Sequence, residues 1–302
     1  MSVLELREAF RAGRLTKPEY IKAMTAAHGA LYDYAELLKG SQVERLEVTQ
    51  DGVVVVTREL GLRLLLVPGD ARLAQAEMLN FGEYEKALWE RAFSLMPEGV
   101  RLFDVGANVG AFALSAARRV KSARVHAFEP VPSTFALLEK HLTMNGAVGV
   151  RAHPWGLSEK AGTVTFRISD QGSANASAAD LGNGPAREVP GVLKTLDAAA
   201  REFGDPGFVK CDVEGGELLA FRGGVETLRR AKPVVMTEML RKWAAGFGYH
   251  PNDIIALFAG LGYRCFDSGL EPFAKMDDAT TETNFFFLHP DVHAAYIARA
   301  GR

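Results

Sequence analysis

Three groups of acids stand where an α/β chain brings ligands together. Asp104 ends an apolar run and is followed by a glycine turn, Gly106-Ala-Asn108-Val-Gly110. Glu129 ends a second apolar run, Val125 to Phe128, and precedes Pro130. Lys210, Asp212 and Glu214 close a third, ahead of Gly215-Gly216. Alternation along a strand puts Lys210, Asp212 and Glu214 on one side and Cys211 and Val213 on the other. Ligands of open α/β sheets bind beyond the carboxyl ends of the strands, so the three groups are expected to face one crevice.

Their chemistry narrows the ligand. Glu129 lies 19 residues past Gly110, where a carboxylate can accept hydrogen bonds from both hydroxyls of a ribose, which points to an adenosine-type molecule. The turn lacks the G-x-G-x-x-G spacing that lets a backbone close on a pyrophosphate, and the charge of Asp104 would repel one. A G-x-x-x-x-G-K-[ST] loop is absent from the sequence, which counts against ATP and GTP. S-adenosylmethionine has no phosphate and carries an ammonium and a sulfonium, which suit an acidic turn. Asp212 is the expected base or orienting group for an acceptor hydroxyl, a role worth roughly 10²- to 10⁴-fold in rate. Its alternatives are cofactor binding and capping of the helix that follows. Lys210 fits an ion-pair partner of Asp212 or Glu214. Glu214 and Glu217 flank a helix start, where the dipole favours negative charge. Asp212, Glu214 and Glu238 would supply oxygen ligands to a divalent cation in a less favoured reading, because no ligand spacing compels it.

The elements that position these groups alternate strand and helix from residue 82 onward, which requires a mainly parallel sheet with right-handed crossovers. Strands are expected at 101–105, 124–128, 149–153, 207–212, 233–238, 262–266 and 284–288, the last two forming an antiparallel closing hairpin. Some fifty residues intervene between the third and fourth of these. Thr163 to Ile168 alternate as a strand, and residues 171–185 are small and polar, either a lid or a plain connection. Trp243, Tyr249 and His250 follow the fifth strand and are candidates for an acceptor wall, aromatic faces being suited to sugar rings. Residues 1–80 read as an appendage, and 81–302 as the ligand-binding domain. In the appendage, Thr16-Lys-Pro-Glu19 is a capping box. Ile21, Met24, Leu31, Ala35 and Leu38 then repeat at helical spacing as a core or subunit-contact stripe, and Asp51-Gly52 marks a hairpin in a β-meander.

The motifs DVGANVG at 104–110, FEP at 128–130 and KCDVEGGE at 210–217, in this order, resemble the FkbM family of S-adenosylmethionine-dependent methyltransferases. Tyr84-Glu85 before a helix and Met236-Thr-Glu238 at a strand end fit the same pattern. The resemblance implies a Rossmann-like class I methyltransferase fold, a mostly parallel seven-stranded sheet with an antiparallel last strand. It implies a cofactor site made by Glu85, Asp104, Gly106, Asn108, Gly110, Glu129 and Pro130, with Gly156 and Leu157 beside the adenine. It implies methylation of a hydroxyl on a sugar, a glycan or a secondary metabolite, and the strand-end position of Asp212, Lys210 and Glu214 makes them the candidate catalytic group. The rivals are a nicotinamide-dependent oxidoreductase, disfavoured by the glycine spacing and Asp104, and a fold-alike binding module without catalysis.

Composition sets the bounds. The 302 residues carry 35 basic and 37 acidic side chains, a net charge of -2, so no global field favours nucleic acid. The two cysteines, Cys211 and Cys265, are expected as buried free thiols, which implies a reducing compartment. The N-terminus lacks a basic start with an apolar run, and no stretch approaches 18 consecutive apolar residues. A cytoplasmic protein without a membrane span is expected, with homodimerisation through the N-terminal helices as its self-contact.

Overall fold

The computed structural model describes residues 1–169, 177–179 and 186–298. Three strands come first: β1 (Val43–Thr49), β2 (Gly52–Thr57) and β3 (Arg63–Leu66), an antiparallel meander in the order β1-β2-β3. The chain continues through β4 (Arg101–Val105), β5 (Arg124–Phe128), β6 (Val150–His153), β7 (Gly156–Leu157), β8 (Gly162–Ser169), β9 (Ala186–Lys194), β10 (Phe208–Cys211), β11 (Val234–Glu238), β12 (Arg264–Phe266) and β13 (Asn284–Leu288). The central sheet has seven strands in the order β12-β13-β11-β10-β4-β5-β6. β13 alone runs antiparallel to its neighbours, and all seven strands fall within two residues of the expected bounds.

Alternation decides which side chains each face buries. Leu102, Val125, Phe208, Val234, Met236 and Phe286 pack on one side with the helices Lys86–Ser94, Ala111–Arg119 and Pro132–Met144. Phe103, Val105, Phe128, Val209, Cys211, Val235 and Phe285 pack on the other with Leu196–Phe203, Glu217–Arg222 and Pro251–Gly260. Parallel strands covered on both faces read as continuous apolar runs, which is why their bounds were legible. Both cysteines are free and buried, as expected.

The meander joins the first of these cores. Val43, Val55, Leu62 and Leu64 share a cluster with Leu102 and Phe112. The His141 Nε2 atom accepts from the Leu65 amide at 2.8 Å, and the Asn145 side chain accepts from the Arg63 amide at 2.9 Å. The capping box at Thr16 and Glu19 forms as its sequence predicts. Of the apolar stripe beyond it only the last residue, Leu38, packs against the core. The segment breaks into two helices, Lys17–Ala27 and Ala30–Leu37, at His28-Gly29, and neither contains a buried residue. Ile21 and Leu31 are 54% and 63% exposed. Glycine is a weak helix former, which suits a break at this point.

The intervening segment holds the expected strand and further ones beside it. The expected strand at 163–168 is β8, but it pairs antiparallel with β9 from Gly162↔Leu193 to Ser169↔Ala186, and β9 pairs parallel with β7. Pro190 and Gly191 inside β9 read as breakers. Here Gly191 gives room to a ring, since a Cβ would lie 2.5 Å from Phe166 Cε2. Of the stretch proposed as a lid, 171–176 and 180–185 lie outside the described residues. Among the described residues no helix is long and apolar enough to cross a membrane.

Candidate active site

A cleft of about 580 Å³ opens beyond the carboxyl ends of β4, β5, β10 and β11. Its walls bring together the glycine turn Gly106 to Val109, the Glu129-Pro130-Val131 corner, and Asp212 to Glu214. Glu85 and Tyr84 reach it from in front of β4, and Glu238 from the end of β11. Its lining holds six carboxylates (Glu77, Glu85, Glu129, Asp212, Glu214 and Glu238) against three cations (Arg72, Lys210 and Lys242). A cleft so charged favours a cationic ligand or one rich in hydroxyl donors.

Each carboxylate has its own support. Glu129 is held by two backbone amides, its Oε2 accepting from Asn108 at 3.0 Å and its Oε1 from Val131 at 2.9 Å. Each oxygen keeps a further lone pair for a ligand. The turn can approach β10 this closely only with glycine. Gly106 has φ 76°, and a Cβ there would sit 1.8 Å from the Asp212 carbonyl oxygen. Lys210 ties the turn to the third acid group. Its Nζ donates to the Gly106 carbonyl at 3.2 Å and to Asp212 Oδ2 at 3.2 Å, and lies 3.8 Å from Asp104 Oδ1. Asp104 is fully buried, with the Lys210 ammonium as the cation beside it. It sits under the turn and does not line the cleft.

Burial and mutual repulsion set the charge states. Burial pushes Asp104 up to about 6, with Lys210 opposing. It pushes Glu129 up to about 7 against the pull of the two amides. Glu85, Glu214 and Glu238 are raised by burial and then by the charge of Asp212. Lys210 is buried too, but Asp212, Asp104 and Glu85 more than offset that and hold its ammonium above the usual lysine range. Asp212 is the accessible member, its side chain 33% exposed, with Oδ2 fixed by Lys210.

Other expected residues find different places. Gly110, Gly156 and Leu157 do not line the cleft. Gly110 packs on Leu138, and Gly156 on Leu193 and Pro130. Glu214 takes the left-handed conformation at φ 54° and turns into the cleft, and its carbonyl accepts from Ser177 Oγ at 3.0 Å. Glu217 is the helix-start acid, accepting from the amides of Val213 and Gly215. Trp243 lines the cleft, whereas the Tyr249 hydroxyl donates to the Gly215 carbonyl and Glu217, and His250 caps the helix Pro251–Gly260. Asp212, Glu214 and Glu238 flank the cleft, and among the described residues no three His, Cys, Asp or Glu side chains converge as metal ligands. Arg72, Glu77, Phe166 and Lys242 are among the lining residues that the sequence did not mark as ligand contacts. They come from the segment after the meander, from β8 and from the start of a short helix, and only packing brings them here.

A seven-stranded sheet with a single antiparallel strand, and a cleft at the glycine turn after β4, define the class I methyltransferase fold. The chain belongs to the FkbM family, residues 104–265 matching the methyltransferase FkbM domain. It is 30% identical over 159 residues to methyltransferase sdnD of Sordaria araneosa, a match covering 42% of this chain and 61% of that protein. It is 30% identical over 139 residues to the hexuronic acid methyltransferase AglP of Haloferax volcanii, covering 45% and 54%. The chain thus spans less than two thirds of the length of either relative. Among solved structures, the FkbM methyltransferase of Methylobacillus flagellatus is similar at a TM-score of 0.41 and 16% identity, over 74% of this chain and 56% of that one.

Proposed function

We propose that this protein transfers a methyl group from S-adenosylmethionine to a hydroxyl oxygen of a sugar, a glycan or a secondary metabolite. The observation that carries this reading is Glu129, whose carboxylate is aimed by two backbone amides at the end of β5 while the cleft beside it is rich in acids. That arrangement suits a ribose diol next to a cation and disfavours a pyrophosphate. A further acceptor in the cleft lining supports the fit, the buried Asn108 Oδ1, which has no hydrogen-bond partner among the described residues.

When bound, the cofactor supplies a methyl group made electrophilic by its sulfonium. Glu129 and the Gly106 turn would hold it, and the chain's remaining work is alignment and proton handling. Lys210 fixes the orientation of Asp212 and leaves Oδ1, which has no hydrogen bond among the described residues, to accept the acceptor's hydroxyl proton. Glu85, Glu214 and Glu238 can accept hydrogen bonds from the other hydroxyls of a polyol. The aromatic rings of Tyr84, Trp89, Phe112, Phe166 and Trp243 line the same cleft, where they exclude water and offer flat faces to a sugar ring. The relative that acts on a hexuronic acid supports the sugar class.

Calorimetry with S-adenosylmethionine and with NAD, followed by a screen of glycosides and glycans for S-adenosylhomocysteine release, tests the proposal. Binding of S-adenosylmethionine with turnover on a hydroxylated acceptor is expected. Binding of NAD alone would overturn it.

A further inference from the structure

The cleft is an acidic place in which to put a carboxylate, yet S-adenosylmethionine carries one. Resting on the cofactor reading above, the geometry points to Arg72 as the residue that binds the cofactor's carboxylate, which makes the segment after the meander part of the site. Three cations line the cleft, and two are accounted for. Lys210 is buried, donates to Asp212 and the Gly106 carbonyl, and is paired with Asp104 at 3.8 Å. Lys242 follows β11 on the side of Glu214 and Glu238, its Nζ 4.7 Å from the centre of the Trp243 ring. The Trp243 carbonyl packs over Gly215, the turn after β10. Lys242 therefore stands beside Glu214 and the turn after β10.

Arg72 lines the cleft together with the glycine turn. It lies two residues before the helix Ala74–Phe81, whose Ala74 lines the same cleft as Ala107, Ala111 and Phe112 of the glycine turn and its helix. Its guanidinium has one partner among the described residues, Glu77 Oε1 at 3.4 Å, and its side chain is 60% exposed. Most of its five donors are therefore available. A planar guanidinium matches a carboxylate with two parallel hydrogen bonds, a geometry that a lysine does not reproduce. Glu77, itself lining the cleft, holds the arginine at the rim.

The test compares S-adenosylmethionine with its decarboxylated form, which differs by the carboxylate alone, on wild type, Arg72→Met, Arg72→Lys and Lys242→Met, by calorimetry. Arg72→Met is expected to weaken S-adenosylmethionine by roughly 10- to 100-fold. The same variant should bind the decarboxylated form as wild type does or more tightly, which also reports that it is folded. Arg72→Lys should fall between. Equal losses for both ligands would mark a structural role and overturn the assignment, as would unchanged S-adenosylmethionine binding or a carboxylate-specific loss in Lys242→Met instead. Failure of wild type to bind S-adenosylmethionine at all would sink the cofactor reading itself, an outcome distinct from these.

Discussion

Asp212 and Glu129 carry different burdens, and their variants separate them. Asp212→Asn keeps the shape and most of the hydrogen bonding, so S-adenosylmethionine affinity should hold while kcat falls by roughly 10²-fold or more. Steady-state kinetics with saturating cofactor checks this, and a fully active variant would leave alignment alone to explain the rate. Glu129→Gln keeps the volume but loses the charge that accepts both ribose hydroxyls, and should weaken cofactor binding by about 1.5 to 3 kcal/mol. Burial holds Glu129 up to about 7, so the ligand-free site takes up a proton as pH falls through that value. Cofactor affinity in wild type should therefore decline below pH 7, and Glu129→Gln should flatten that decline. Calorimetry from pH 8 to 5.5 reads both effects.

At the scale of elements, the N-terminal portion divides in two. The meander is fastened to the catalytic core through Val43, Leu62, Leu64 and the hydrogen bond from the Leu65 amide to His141. The helices before it bury nothing against that core. Leu6 and Ala9 are covered, but the contacts of their helix are with Lys17–Ala27, with Phe10 and Tyr20 stacked at 4.4 Å. Removing residues 1–37 should leave the melting temperature within a few degrees and cofactor binding intact. Ile21, Leu31 and Tyr32 are exposed apolar side chains on the removed part. A dimer in full-length protein that becomes a monomer on truncation, seen by sedimentation, would identify these helices as the subunit contact. Loss of cofactor binding on truncation would contradict the division drawn here.

For the whole molecule, the acidic cleft has a consequence for stability. Asp104 at about 6 and Glu129 at about 7 are raised above their unfolded values near 4. A raised carboxyl contributes stability that is full below the unfolded value and is lost as pH rises through the folded one. His126 and His293, which are buried, and the half-buried His153, all held down to about 4, work in the opposite sense: their contribution is present above about 6.5 and is lost as pH falls. The two sets oppose each other between about 4 and 6.5, and above that only the carboxyls titrate. The ligand-free protein should therefore lose roughly 2 to 5 °C of melting temperature between pH 6.5 and 8.5. A bound cation offsets the repulsion, so S-adenosylmethionine should stabilise more at pH 8.5 than at 6.5. Scanning calorimetry with and without cofactor would show a flat profile if the cleft carboxyls were not strained by their own charge.

The sequence by itself determined the sheet and the positions of the motif acids. Strands buried on both faces are apolar runs of five or so residues, and a helix start or strand end is written in the few residues around it, so local order suffices for Asp104, Gly106, Glu129 and Asp212. It also determined the free thiols and the capping box. Only the tertiary structure decided what else faces the cleft. Arg72, Phe166 and Lys242 come from segments separated by many tens of residues and have no periodicity that points at a ligand. The same holds for β9, whose Pro190 and Gly191 contradict a strand until Phe166 is seen packed over the glycine. The broken apolar stripe of the first helices, and the absence of Gly156 and Leu157 from the cleft lining, were settled likewise by packing. Local patterns encode which backbone forms, but which side chains meet depends on how distant surfaces exclude water together.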